Sequence, residues 1–219
     1  MPATLQVETD WPLVFSGCNT GNIQTFVRDY TITRGRQNEL DRVTAGQAII
    51  TVDSPSGLFS PLNTTGCLSG SLLPGRSIKV AWTLTPTGGG AASGFYRFIG
   101  KLKSISTEPD TMGGRNAVLT CVDDFNEMQR KETRSTLYQN VKSGCLAGSL
   151  LSDAGFFTAC RIIADGQDIY NFAYFEQRKL DEVLVDIERT EYGFMFIRGD
   201  GAFVFNDRHY RSTTLTTSA

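Results

Sequence analysis

Between Gln24 and about Asp124, apolar and polar positions alternate with period two, the repeat that puts successive side chains on opposite faces of a strand. Tyr30 and Ile32 alternate with polar neighbours, and Ala48, Ile50 and Val52 do so again. Ile78, Val80, Trp82 and Leu84 make the clearest case, with Lys79, Ala81 and Thr83 on the other face. Each stretch can bury one face only. Ser54-Pro55-Ser56-Gly57, Leu73-Pro74-Gly75, Gly88-Gly89-Gly90 and Met112-Gly113-Gly114 supply fixed or positive φ where the backbone must reverse. Short strands at close spacing, with no long helical pattern between them, predict an antiparallel barrel or sandwich over residues 1–125.

Beyond Asp123-Asp124 the period lengthens. Phe125 and Met128, then Leu137, Val141, Cys145 and Leu146, recur at spacings of three and four, predicting a short helix and a second one over residues 138–154. Gly144 and Gly148 weaken the second by about 1 kcal/mol each, and Gly155 stops it. A third helix is predicted over 176–191. Its apolar stripe is Leu180, Val183, Leu184 and Ile187, and Gly193 is suited to the left-handed cap. Two apolar runs flank Arg198-Gly199-Asp200-Gly201 and predict a hairpin over 194–205. Residues 126–211 thus read as a small α+β domain, and the Ser/Thr-rich 212–219 as a tail or the start of a continuation.

With 219 residues, 40% hydrophobic and 20% charged, the chain can bury a sizeable core without metal or disulfide support. A net charge of -2 carries no basic excess, so binding that neutralises several phosphates has little support. No run of about 18 apolar residues occurs, so no membrane span is expected, and the first residues lack the basic-then-apolar pattern of a secretory signal. Cys18, Cys67, Cys121, Cys145 and Cys160 are odd in number and widely spaced, which fits free thiols in a reducing cytoplasm. Cys145 and Cys160 lie in apolar surroundings and read as core.

The inventory for catalysis is poor. Asp123, Asp124 and Glu127 could hold a hard cation or act as acid and base, but acids at a helix start favour the positive end of its dipole. His209 is the only histidine and reads as surface. No cysteine pair has CxxC spacing, and Ser16-Gly17-Cys18-Asn19 and Ser69-Gly70-Ser71 read as turns, not nucleophile elbows. No enzyme activity, cofactor or metal is expected. Arg198-Gly199-Asp200 is accounted for by its hairpin turn. Arg34, Arg36, Arg42 and Arg76 carry forked guanidinium groups suited to carboxylate pairing, and with Glu39 and Asp41 they form a candidate subunit contact.

The order of short patterns carries a resemblance. Arg34-Gly35-Arg36, Asn38 to Arg42, Ala45-Gly46, Val52-Asp53, Gly57-Leu58-Phe59, Pro61 and Asn63-Thr64 come first. Leu73 to Arg76, Arg97 to Ile105, Leu119 to Asp124, Glu191-Tyr192-Gly193 and Phe205 to Arg208 follow. In this order the chain resembles the amino-terminal portion of tail hub proteins, also called baseplate hub or tail tip proteins, of long-tailed bacteriophages. The resemblance implies a structural virion protein at the distal end of the tail tube, assembled in the bacterial cytoplasm. It implies a β-rich α+β fold: a tail-tube-like antiparallel β-domain followed by a small α+β domain.

The partners implied are two further copies in a homotrimer, tail tube and distal tail proteins, tail fibre or tip proteins and the tape measure protein. DNA would be met only in transit through the lumen. Family hubs continue past the hairpin into a second tube-like domain, so the chain is expected to be part of a longer hub or half of a divided one. The alternative function is a receptor- or carbohydrate-binding module of the tail tip. Its aromatic platform would draw on Trp11, Phe15, Phe95 and Tyr96, the last two expected to be partly core. An enzyme acting on the cell wall has the least support.

Overall fold

A computed structural model of the chain describes residues 3–11, 21–35, 43–84, 93–109, 115–156 and 161–210. The turns expected at 88–90 and 112–114 lie outside them. The chain divides into two compact units, one of Met1–Arg34 with Gly46–Asp123 and one of Gly35–Ala45 with Asp124–Ala219.

The first unit is a curled antiparallel half-barrel sheet. Its strands are β1 (Ala3–Thr9), β2 (Val27–Gly35), β3 (Thr44–Asp53), β4 (Ser77–Leu84), β5 (Ser93–Pro109) and β6 (Arg115–Val122), in the order β1-β4-β5-β6-β3-β2. The alternation read from the sequence sets the register: Ile50 faces Leu119, Val52 faces Ala117 and Val80 faces Phe98, all buried on the side that packs into one core. Residues 54–76 close over that side. Phe59, Leu68 and Leu72 are buried there, and the Phe59 ring lies 5.9 Å from that of Trp11 and 5.4 Å from that of Phe26. Fully burying Phe59 contributes roughly 1.5–3 kcal/mol.

This closing loop is held by its own polar groups. The Phe59 N–H donates to Ser54 Oγ at 3.0 Å, and the Asn63 amide donates to the Gly57 carbonyl at 3.1 Å. Ser56 and Gly57 take φ of 53° and 72°, which is why the turn needs Gly57.

Two β-bulges interrupt β5. Val80 faces Phe98 but Ala81 faces Tyr96, which makes Arg97 the extra residue; Leu102 faces Cys121 but Ser104 faces Thr120, which makes Lys103 the second. The first bulge breaks the expected alternation on β4, where Ala81 is buried beside Val80 while Trp82 is only half-buried. Beyond it Phe95 and Tyr96 are exposed, contrary to the expectation that they are partly core.

The second unit holds α1 (Phe125–Met128), β7 (Glu132–Arg134), β8 (Tyr138–Lys142), α2 (Ser143–Asp153), β9 (Arg161–Ile163), β10 (Ile169–Ala173), β11 (Glu176–Lys179), α3 (Leu180–Glu191), β12 (Phe194–Ile197) and β13 (Phe203–Asn206). β12, β13 and β9 form a three-stranded sheet in that order, β9 parallel to β13. α2 and α3 bury Leu146, Leu150, Leu151, Val183, Leu184 and Ile187 in one core with Met195, Phe203 and Phe205.

Both long helices begin later than the period suggests, and pairing explains each case. Residues 138–142 are β8, paired with β10, and residues 176–179 are β11, paired with β7. Ladder hydrogen bonds therefore win over local helical spacing. The stop at Gly155 follows the sequence: with φ of 65° its N–H reaches the Ser152 carbonyl, and the Phe156 N–H reaches that of Leu151, a Schellman closure. The hairpin also follows. Arg198 pairs with Asp200 within the turn, so the Arg-Gly-Asp run is spent on turn geometry.

At the end of α3 the left-handed position belongs to Tyr192 (φ 54°, ψ 30°), not to Gly193. Gly193 is required for another reason, since a Cβ there would lie 2.3 Å from the Asn206 carbonyl oxygen. A tyrosine in the left-handed region carries a steric cost that glycine lacks, and this one is exposed. Tyr192→Gly is expected to raise stability by about 0.5–1 kcal/mol, read as a higher urea midpoint. An unchanged or lower midpoint would show that the guanidinium of Arg208, 6.0 Å from the tyrosine ring, offsets the strain.

Candidate functional site

Of the six residues in the candidate contact, Arg36, Glu39, Asp41 and Arg42 lie outside the described residues. Arg34, near the end of β2, lines a groove of about 510 Å³ with Tyr30, Ile32, Trp82 and Arg97. Arg76, just before β4, is not among these lining residues; its carbonyl accepts the Leu102 N–H. The groove owes its shape to the pleat and the bulge. Tyr30, Ile32 and Arg34 share one face of β2 at spacing two, and the bulge re-aims Arg97 toward them. Trp82 Nε1 donates to the Tyr30 hydroxyl at 3.0 Å and ties the aromatic floor together. Arg34 and Arg97 thus share one groove with two aromatic rings, a lining suited to docking a protein segment. The sequence signalled Arg34 but not Arg97, whose role depends on a one-residue bulge.

The carboxylates flagged for chemistry have structural partners. Asp123 is buried, its Oδ2 accepts the Gly46 N–H at 2.8 Å, and its own N–H donates to the Gly46 carbonyl at 3.0 Å. A Cβ on Gly46 would come within 2.5 Å of that carboxylate oxygen, which explains the glycine. Asp124 stands at the start of α1, where its carbonyl accepts the Glu127 N–H. His209 is exposed, as expected. Among the described residues no group of three His, Cys, Asp or Glu side chains could hold a metal ion.

The cysteines depart from expectation. Cys67 is disulfide-bonded where a free thiol was expected, and Cys145 is exposed on α2, not in the core. Cys160 and Cys18 lie outside the described residues. Cys121 is free, and burial pushes its thiol up to about 12, which removes it as a nucleophile at neutral pH.

One polar centre escaped the sequence reading. Glu191, at the last turn of α3, is fully buried. Its carboxylate accepts the Ser143 hydroxyl at 2.6 Å, the Gln167 and Asp168 N–H groups at 3.0 Å each, and Arg208 Nε at 3.3 Å. Arg208 also pairs with the Asp168 carboxylate. One side chain thereby ties the end of α3 to the start of α2, to the loop before β10 and to the turn after β13. Burial raises its pKa, but the bonds from Ser143, the two backbone N–H groups and Arg208 outweigh that and hold it below the usual carboxylate value. The signal lay in Glu191-Tyr192-Gly193 and Asp207-Arg208, two of the patterns behind the resemblance.

No protein-family model matches the chain, and none of the curated proteins does. Solved structures do. The 43 kDa tail protein of prophage MuSo2 from Shewanella oneidensis superposes with a TM-score of 0.62 over 94% of this chain and 53% of its own, at 11% identity. The tail protein from Neisseria meningitidis MC58 gives a TM-score of 0.58 over 94% of this chain and 51% of its own, at 10% identity. The lidded PdpA-VgrG complex of Francisella gives 0.53 over 97% of this chain and 29% of that chain, at 10% identity. The chain thus spans about half the length of the first two. At these identities the likeness establishes the fold: both units are built as in phage tail proteins.

Proposed function

We propose that the chain is a structural component of a phage tail: the amino-terminal part of a tail hub, sited at the distal end of the tube. There it joins tube to tip and borders the passage for DNA, and it has no catalytic role. The supporting observation is the extent of the fold likeness. It covers 94% of the chain, so the α+β unit is matched together with the curled sheet and not the sheet alone. The net charge of -2 suits a wall that DNA passes without binding. In this reading the groove lined by Arg34 and Arg97 is where a neighbouring tail protein docks.

A receptor- or carbohydrate-binding role at the tip is the second reading. It draws on exposed Phe95 and Tyr96, since Trp11 is buried. Immunogold labelling of phage particles with antibody to this chain separates the possibilities. Gold at the distal end of the tail is expected, whereas gold on heads or none on particles would overturn the hub reading. Binding of host surface glycan by the isolated chain, abolished by Phe95→Ala, would favour the second.

A further inference from the structure

Cys67 is disulfide-bonded, while Cys121 and Cys145 are free. With five cysteines in the chain, its partner is Cys18 or Cys160. Cys67 packs against the core of the first unit, next to the buried Leu68. Trp11 and Ile23 are buried in that same core, and the Thr9 N–H donates to the Gly21 carbonyl at 3.0 Å. The stretch that carries Cys18 is thus fixed at both ends beside the core on which Cys67 packs, and the three residues from Cys18 to Gly21 span at most about 10 Å. Cys160 directly precedes Arg161, which opens β9 in the second unit and donates to the Gly148 carbonyl and to Ser152 Oγ of α2. A bond from Cys67 to Cys160 would have to cross between the units, whereas one to Cys18 closes within the first.

The segment around Cys67 has few other ties. Among the described residues, the backbone N–H groups of 64–74 that are bonded reach acceptors no more than three positions away, such as Ser69 to Gly66 and Ser71 to Leu68, both at 3.0 Å. The next long-range bond is at Gly75, whose N–H donates to the Leu102 carbonyl at 2.7 Å. Between Asn63 and Gly75, burial of Leu68 and Leu72 and the Cys67 disulfide hold the chain down.

We propose that Cys18 and Cys67 are the bonded pair, a redox-set staple that pins residues 64–74 over the core of the first unit. The oxidant is a small disulfide such as glutathione disulfide. One cysteine thiolate attacks it, forming a mixed disulfide and expelling one glutathione thiolate. The other cysteine thiolate then attacks the protein sulfur of that mixed disulfide and expels the second. Two protein thiols are oxidised, one disulfide is reduced to two thiols, and the two protons pass to glutathione. In a reducing compartment the pair stays as thiols and the segment relies on its leucines; in an oxidising one the bond sets.

The full chain, reduced with dithiothreitol and reoxidised with glutathione disulfide, tests this by tryptic mapping without reduction. Cleavage after Arg28, Arg42, Arg76, Lys142 and Arg161 puts Cys18, Cys67 and Cys160 on separate peptides of residues 1–28, 43–76 and 143–161. The expected product joins 1–28 to 43–76. Reductant should lower the melting temperature of the wild type by roughly 5–15 °C, as for a closed loop of about 50 residues, and leave that of Cys18→Ser unchanged. The map uses the wild type, so it decides the pairing even if the variant does not fold. A product joining 43–76 to 143–161 overturns the pairing. A Cys67 that ends as a thiol or a glutathione mixed disulfide, or a wild-type melting temperature that reductant does not move, overturns the staple.

Discussion

Glu191→Ala is expected to lower stability by about 3–5 kcal/mol, because it leaves a buried hydroxyl and two N–H groups turned toward a cavity with no acceptor and removes one of the two carboxylates that pair with Arg208. Urea denaturation followed by circular dichroism measures it. Glu191→Gln should cost less, since it keeps the volume and one carbonyl acceptor while losing the charge. A loss below about 1 kcal/mol for alanine would mean that water satisfies these donors and that the cluster is not a structural tie.

The same carboxylate gives a pH dependence of definite sign. Its pKa is lower in the folded chain than its ordinary value, so the unfolded state binds more protons at acid pH. The stabilisation is complete above the unfolded pKa, about 4.3, and is lost as pH falls through the folded value. Urea midpoints of the wild type should therefore fall below about pH 4.3 more steeply than those of Glu191→Gln. Parallel curves would assign the acid sensitivity to other groups.

Gly144→Ala is expected to destabilise by about 2–3 kcal/mol, although helix propensity alone would make it stabilising by about 1 kcal/mol. A Cβ at this position would sit 1.7 Å from the Ala164 carbonyl oxygen, and backbone cannot rotate aside as a side chain can. Gly148→Ala, four residues along the same helix, meets only Ile163 Cδ1 at 3.5 Å, an ordinary contact. It should stabilise by about 0.5–1 kcal/mol. Opposite signs for the two glycines, read from thermal melts, are the expected result; equal signs would show that the close approach of α2 to residues 164–165 relaxes at no cost.

These two sites mark where sequence reading stops. The alternation at Ala48, Ile50 and Val52, and the stripe at Leu180, Val183, Leu184 and Ile187, are local periodicities, and each turned out to be the buried face. Residues 138–142 and 176–179 carry helical spacing too, but partners about 30 and 45 positions away claim their backbone, and no local pattern records that. Gly144 reads as a helix flaw until the carbonyl behind it is seen. Arg34 could be flagged as an interface residue, but Arg97 joins it only through a bulge. Glu191 was visible within a pattern, yet its function depends on four groups that converge only in the folded chain.

The central proposal is that this chain is the amino-terminal part of a tail hub, and the resemblance to that family implies a homotrimer. The most direct test is the mass of the purified chain by light scattering, followed by negative-stain class averages of the species found. The account predicts about 72 kDa, three times 24.0 kDa, and averages with threefold symmetry around a central opening. A species of 24.0 kDa at every concentration, with no ring in the averages, would contradict it.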